Sequence, residues 1–168
     1  MKELRDKFSR IYDQNIEKIF RFIYLKVDSQ ETAEDITSKV FLKAWKAFCE
    51  PSFKLENESA FLYHIAKNAI IDHYREKSRN KTTSLDFSSE IADSRTNIQD
   101  MAVLSADITL IKKAIQKLDK DHQDIIIWHY LEDMPINDIA KLVSRPEGTV
   151  RVMLHRGLKK LKDIVQES

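Results

Sequence analysis

Apolar residues in the first half of the chain recur every three or four positions, in three stretches over residues 8–27, 33–48 and 61–69. This spacing brings side chains to one face of an α-helix, so the pattern predicts three amphipathic helices. Ser29 precedes the second stretch, and Ser59 precedes the third. A serine hydroxyl can accept a hydrogen bond from a free N–H at the start of a helix. We therefore expect both serines to be N-caps.

The same spacing returns after residue 107 and continues to Val165, whereas residues 82–105 are rich in Ser, Thr and Asp and keep no period. We predict a linker there, with at most a short helix near residues 100–104. About four helices follow it. The predicted fold class is all-α, with two small helical domains joined by a flexible linker. The predicted bounds are 1–81 for the N-terminal domain, 82–106 for the linker and 107–168 for the C-terminal domain.

The segment from Pro135 to Lys162 predicts a helix-turn-helix in the C-terminal domain. Pro135 can open a short helix, and residues 144–148 then break the period, with Gly148 expected to relax the backbone in the turn. The second helix has an apolar side and an opposite side that is basic. The basic residues are Arg151, His155, Arg156, Lys159 and Lys162. A solvated surface helix is the alternative, but the short helix and tight turn before it favour DNA binding.

Composition supports helices and divides the charge. Of 168 residues only two are Gly and three are Pro, which argues against turn-rich β structure. The net charge is +1, yet acidic residues dominate between residues 82 and 110, so the average hides separate surfaces. The single Cys49 excludes an internal disulfide and a multi-cysteine zinc site. The start does not resemble a signal peptide and no apolar run could span a bilayer, so we expect a cytoplasmic protein without membrane insertion.

Basic and aromatic side chains are interleaved over residues 61–81 and in the loop 49–58 before them. Cations bind phosphates and rings stack on unpaired bases, so this mixture suits single-stranded nucleic acid. Two plainer explanations stay open: Phe53 folds back on the core, and the cations are a solvated helix end. The five histidines lie in no metal-ligand pattern, and two glycines form no phosphate loop. We therefore expect no enzyme, no metal and no cofactor.

The order of these parts resembles the extracytoplasmic-function group of sigma factors, in the sigma-70 family of bacterial RNA polymerase. Three segments carry the resemblance: residues 35–45, which begin with Asp-Ile and end with FLKAW; residues 65–75, with IAKN and DHYR; and residues 148–156, with GTVR and LHR. The resemblance implies a promoter-specificity subunit that binds core RNA polymerase, recognises the −35 and −10 elements and promotes DNA melting. It also implies an anti-sigma factor as a regulatory partner.

The resemblance and the pattern of side chains on the helix faces together assign roles to three sets of residues. Duplex DNA at the −35 element would contact Arg145, Thr149, Arg151, Val152, His155, Arg156 and Lys159. Single-stranded DNA at the −10 element would contact Phe53, Tyr63, Lys67, Asn68, Asp72, Tyr74, Arg75 and Arg79. Core polymerase would contact the second helix through Asp35, Lys39 and Lys43. In this assignment the loop 49–58 captures an unstacked base.

The chain also departs from the family pattern. Ser38-Lys39 stand where Gln-Glu is usual, and Val152, Met153 and Leu158 replace the usual small polar and Arg residues. On the helical wheel Val152 points to the DNA side, where it can touch a thymine methyl, and Met153 lies at the edge of the core. Two rival functions remain: a DNA-binding regulator of another class, which would have no use for the third helix, and a protein–protein adaptor built from scaffold helices.

Overall fold

The computed structural model describes residues 1–81 and 105–167, and these ranges contain seven α-helices and no strand. The predicted all-α fold class is therefore confirmed. The helices are α1 (Lys2–Tyr24), α2 (Gln30–Phe48), α3 (Glu58–Lys81), α4 (Ser105–Gln116), α5 (Lys120–Ile126), α6 (Ile136–Val143) and α7 (Glu147–Glu167). The chain divides into two compact units, Met1–Gln99 and Asp100–Ser168. The short helix expected near residues 100–104 lies outside the described residues.

The N-terminal unit packs α1, α2 and α3 around a core of aliphatic and aromatic side chains. Phe22, Val40 and Leu62, one from each helix, have no exposed surface. Ser29 caps α2 as expected, since its Oγ accepts a hydrogen bond from the N–H of Thr32 at 3.1 Å. The core thus forms where the three apolar stripes meet.

The cap of α3 differs from the prediction. Asn57, and not Ser59, accepts the hydrogen bond at this terminus, from the N–H of Ala60 to Oδ1 at 3.0 Å. α3 already begins at Glu58, so Ser59 lies inside its first turn. Both Asn and Ser are common N-caps, and the choice between them depends on where the loop delivers the chain.

The C-terminal unit is built around α5, whose buried run Ile125–Trp128 continues into a π-helical turn at Ile127–Leu131. The N–H of Met134 donates to the carbonyl of Trp128 at 2.9 Å and closes the chain after this turn. A π-helical turn is wider than an α-helical one and shifts the direction of the side chains that follow it. The predicted helix in this region is present, but its last turn is not α-helical.

The turn between α6 and α7 is made by Ser144. Ser144 has left-handed backbone angles, φ 55° and ψ 48°, and the N–H of Arg145 donates to the carbonyl of Ala140 at 3.1 Å. This is the hydrogen bond that closes a Schellman motif at the end of a helix. The prediction that Gly148 relaxes the turn is wrong, because Gly148 lies in the first turn of α7 and has no positive φ.

Candidate nucleic-acid interfaces

Helix α7 separates its packing side chains from its basic ones. Val150, Met153, Leu154 and Gly157 are buried against the C-terminal unit. The predicted −35 residues on the opposite side of this helix, Arg151, Val152, His155, Arg156 and Lys159, are all exposed. Residues at spacings of four along a helix share a face, so Arg151, His155 and Lys159 form one row and Val152 and Arg156 the next. The structure brings these five side chains together on one open surface.

Gly157 lies where α7 packs against α5. A Cβ built on Gly157 would lie 3.4 Å from Cγ1 of Ile126 and 3.5 Å from Cβ of His122. These are ordinary van der Waals distances, so a Cβ at this position would fit against α5 without a clash. The close packing fixes the middle of α7 against the scaffold and leaves its basic side free.

Arg145 and Arg151 already pair with carboxylates of their own unit. Nη2 of Arg145 lies 3.4 Å from Oδ2 of Asp121, and its Nη1 lies 3.5 Å from Sδ of Met153. Nη2 of Arg151 lies 3.5 Å from Oε1 of Glu147, one turn earlier on α7. Ion pairs at exposed sites are worth only about 0–1 kcal/mol, so a phosphate can displace either carboxylate. Thr149, also predicted to contact DNA, is exposed.

The substituted positions of α7 lie where the helical wheel places them. Val152 is 47% exposed, on the side of the basic residues, whereas Met153 is 9% exposed and packs against the unit. Leu158 is half-buried. The apolar surface available to a thymine methyl on this face is therefore that of Val152.

Helix α3 presents a polar stripe along its outer side. Asn68, Asp72, Arg75 and Arg79 are all exposed, at intervals of four, three and four residues, and so lie on one face. Lys67, which precedes the stripe by one position, is half-buried. The stripe combines an amide, a carboxylate and two guanidinium groups, so it can bind both phosphates and base edges.

Tyr63 does not belong to that stripe. It is 1% exposed, and its ring packs edge-on against Phe22, with 5.2 Å between the ring centroids. Tyr63 lies three and seven residues before Ala66 and Ile70, which are also buried, so it shares their core-facing side of α3. We correct the assignment: the ring of Tyr63 is part of the core and is not offered to a base.

Phe53, in the loop 49–58, is held between two rings. Its centroid lies 5.7 Å from that of Phe48 and 5.0 Å from that of Phe61, and its side chain is half-buried. Its N–H donates to the carbonyl of Glu50 at 3.0 Å, which tightens the loop. The alternative in which Phe53 folds back on the core is therefore the arrangement observed.

Tyr74 is half-buried and joins α3 to the connection between α1 and α2. Its hydroxyl donates to the carbonyl of Lys26 at 2.7 Å. Burial raises the pKa of Tyr74, and the charge of Asp28 raises it further. One turn later Lys77 forms an ion pair with Asp28. Sequence patterns missed Asp28 and Lys77, because a pair 49 residues apart leaves no local periodicity.

The outer side of α2 holds the residues predicted to contact polymerase. Asp35, Lys39 and Lys43 are exposed, and Nζ of Lys39 lies 3.1 Å from Oδ2 of Asp35. Leu42 lies among them and is 55% exposed, although its neighbour Phe41 is buried. An exposed large apolar side chain can mark a surface that binds a partner. The sequence-based assignment omitted Leu42, although its position outside the apolar stripe of α2 could have identified it.

Two further features are absent from the described part of the chain. Over residues 1–81 and 105–167, no group of three or more His, Cys, Asp or Glu side chains is arranged to hold a metal ion. None of the helices described combines the length and apolar character needed to cross a bilayer.

Comparison with protein families gives two matches. The family described as "Sigma-70 region 2" matches residues 11–80, and the family described as "Sigma-70, region 4" matches residues 108–161. Among curated proteins, the ECF RNA polymerase sigma factor SigW of Bacillus subtilis is 29% identical, covering 94% of this chain and 88% of its own length. BldN of Streptomyces coelicolor, another ECF sigma factor, is 23% identical and covers 96% of this chain. The aligned region is 61% of the length of BldN.

Two solved structures share the fold. One is the sigma factor RpoE in complex with the anti-sigma factor NepR from Bartonella quintana, with a TM-score of 0.71 and 21% identity, covering 95% of this chain and 97% of that chain. The other is CnrH in complex with the cytosolic domain of CnrY, with a TM-score of 0.68 and 14% identity, covering 98% of this chain and 90% of that chain. At these identities the likeness is one of fold.

Proposed function

This chain belongs to the sigma-70 family, in its extracytoplasmic-function group, and from that premise we propose that it binds core RNA polymerase, recognises promoter −35 and −10 elements and promotes DNA melting. A sigma factor is a non-catalytic initiation factor, so the chemistry of RNA synthesis belongs to the polymerase. The protein acts where the polymerase acts, in the cytoplasm.

One observation supports the proposal most directly: each of the two units has an exposed polar helix face, and the two faces suit different forms of DNA. The face of α7 is basic and follows a helix-turn-helix, which is how many proteins enter the major groove of a duplex. The face of α3 mixes amide, acidic and basic groups, which suits bases that have left the duplex. A protein that reads duplex and strand together matches the task of opening a promoter.

In the C-terminal unit we assign duplex contacts by side-chain chemistry. Arg151 and Arg156 have the guanidinium geometry that pairs with guanine, and Val152 can contact a thymine methyl. His155 lies between these residues on the same surface. Arg145, Thr149 and Lys159 lie at the edge and are assigned to phosphates, which position the helix without reading the sequence. The residues that contact bases determine which −35 sequence is preferred. The residues that contact phosphates contribute to the affinity for any DNA sequence.

In the N-terminal unit we assign the −10 strand to the stripe formed by Asn68, Asp72, Arg75 and Arg79, with Lys67 and Tyr74 beside it. The loop 49–58 lies before this helix and is assigned to an unstacked base, with Phe53 as its internal support.

The outer side of α2, through Asp35, Lys39 and Lys43, is assigned to core polymerase, with Leu42 added. The functional domains are 1–81 and 107–168, and the segment 82–106 joins them.

We assign an anti-sigma factor as the regulatory partner. RpoE, which shares this fold, is bound to the anti-sigma factor NepR in its crystal structure. When a tagged form of the chain is isolated from its own cell, a second protein should be isolated with it. The complex of the two should not bind core polymerase. Recovery of polymerase and of no inhibitor, under every growth condition tried, would count against this assignment.

Reconstitution tests the main proposal. The purified chain is added to core RNA polymerase and a library of random promoters, initiated transcripts are sequenced, and unpaired thymines are detected with permanganate. We expect transcripts from a defined −35 and −10 pair, and thymine reactivity that depends on the chain. Duplex binding without initiation would instead indicate a regulator of another class. If replacing Arg151 and Arg156 together leaves nucleic-acid affinity unchanged at every salt concentration, the adaptor reading holds.

A further inference from the structure

The second half of α3 extends beyond the core of its unit. Among residues 58–80 of this helix, the last buried one is Ile70, and residues 71–80 are at most half-buried. Three members of the proposed −10 stripe, Asp72, Arg75 and Arg79, lie in this part. The hydrophobic contacts that fix the first half of α3 therefore do not fix the side chains that are proposed to read the strand.

Two contacts tie this part of α3 to the connection between α1 and α2. The hydroxyl of Tyr74 donates to the carbonyl of Lys26 at 2.7 Å, and Lys77 forms an ion pair with Asp28. The ring of His73 packs edge-on against Tyr74, with 5.3 Å between centroids. The two partners in the connection, Lys26 and Asp28, alternate with Leu25 and Val27, which are buried and anchor the connection. The connection is a firm point for the extended helix.

Lys77 does not belong to the exposed stripe that contains Arg75 and Arg79. Lys77 lies two residues after Arg75 and two before Arg79, so its side chain points to another side of the helix. That side faces Asp28, and both groups are partly exposed. The ammonium group is engaged with a carboxylate and not directed along the stripe.

We propose that Asp28, acting through Lys77, is a positioning residue that holds the second half of α3 in the orientation that binds the −10 strand. The proposal rests on the proposed function of α3. Asp28 makes no contact with DNA in it; the residue determines where Asp72, Arg75 and Arg79 stand. Tyr74 is the second point of the same brace, so the helix is fixed in rotation as well as in direction.

The opposite possibility is that Lys77 binds a phosphate and that Asp28 merely competes with it. The two ideas predict effects of opposite sign for Asp28→Asn. If Asp28 positions the helix, losing its charge weakens strand binding. If Asp28 competes, losing its charge frees Lys77 and strengthens strand binding. Removing any acidic charge also favours DNA slightly, so Asp13→Asn, at an exposed position on α1, is the matched control.

The experiment uses the full chain with core polymerase and a labelled single-stranded oligonucleotide, selected by the wild-type holoenzyme from a random pool. We expect Asp28→Asn to bind this strand about two- to fivefold more weakly than Asp13→Asn, with duplex −35 affinity unchanged, because an exposed ion pair contributes modestly. Asp28→Glu should restore binding. Amide hydrogen exchange in residues 74–80 should rise in Asp28→Asn, while exchange in residues 33–48 stays unchanged.

A charge-swapped double variant gives an independent test. D28K and K77D should each weaken strand binding, and the D28K/K77D double variant should recover most of the loss. Equal or tighter binding by Asp28→Asn relative to its control, or a double variant as weak as K77D alone, would overturn the proposal. If the wild-type holoenzyme selects no strand from the pool, the proposed function of α3 fails instead, so the two failures are distinguishable.

Discussion

Helices α3 and α7 are both assigned to DNA, yet they divide their side chains differently. In α7 the residues that pack and the residues that face outward are separate sets, and every residue predicted to touch DNA is exposed. In α3 the predicted set is split, with Tyr63 in the core, Tyr74 hydrogen-bonded to the α1–α2 connection and four residues on an outer stripe. The residues assigned to DNA are thus separate from the packing residues in α7, whereas in α3 Tyr74 is both assigned to DNA and hydrogen-bonded within its unit. Substitutions should expose this difference.

The largest expected effect is the loss of stability in Tyr63→Ala. Truncating a fully buried aromatic side chain costs about 3–5 kcal/mol, which is a large part of the stability of a small domain. Hydrogen exchange on the full chain should show opening throughout residues 2–80 and no change in residues 108–167. Tyr63→Phe, which keeps the ring, should behave much more like the wild type. A stable Tyr63→Ala variant that lost only strand binding would return Tyr63 to the DNA surface.

The next effect is on duplex affinity without any change in folding. Arg156→Ala should weaken binding to the −35 duplex by about 1–3 kcal/mol, or roughly 5- to 150-fold, if the guanidinium pairs with a guanine. The melting temperature should stay within error. Lys117→Ala, which removes an exposed cation from the same unit, is the matched control. A loss of stability in Arg156→Ala would show that reading and folding are not separate in α7.

A gain of stability should come from Gly157→Ala. Glycine inside a helix is destabilising by about 0.5–1 kcal/mol relative to alanine, and here the added Cβ would meet only ordinary contacts. We expect a higher melting temperature and an unchanged −35 affinity. If affinity falls while stability rises, the close approach of α5 sets the position of the reading face, and packing and reading are coupled after all.

The smallest effect is a pH dependence of the N-terminal unit. Burial lowers the pKa of His73, and the charge of Lys77 lowers it further, below the ordinary value of 6.5. The unfolded chain then binds the proton more readily, so this contribution to stability is present above pH 6.5 and is lost as the pH falls through the folded-state pKa. The unfolding free energy of His73→Gln should depend less on pH across this window. His64→Gln, at an exposed position on the same helix, is the matched control.

Periodicity predicted every helix of the described ranges, because each helix must bury one apolar face. It also placed Val152 outward and Met153 inward, as observed. The assignment of Tyr63 to DNA, which came from the mixture of aromatic and basic residues and not from periodicity, was wrong, because such a mixture indicates a nucleic-acid surface only if the rings are exposed. The helical wheel held a warning, since Tyr63 lies on the same side as Ala66 and Ile70.

Other differences came from the exact path of the backbone. Ser144, in the left-handed conformation, makes the turn in which Gly148 was expected to relax the backbone, and Asn57 replaces Ser59 as the cap of α3. Such choices depend on differences of about 1 kcal/mol between neighbouring residues, which a pattern does not resolve. The bond between Tyr74 and Lys26 joins positions 48 residues apart, and only the folded chain brings them together.

The separation of roles in α7 has a consequence for how this protein can change over generations. Positions 151, 152, 155, 156 and 159 are exposed and can accept new side chains without disturbing the core, so under the proposed assignment the preferred −35 sequence can drift by single substitutions. In α3, by contrast, Tyr74 is both assigned to the strand and hydrogen-bonded within its unit, so this position is constrained twice. Among duplicated copies of this gene, we therefore expect −35 preferences to diverge early and −10 preferences to persist, so that new regulons arise mainly through the last helix of the chain.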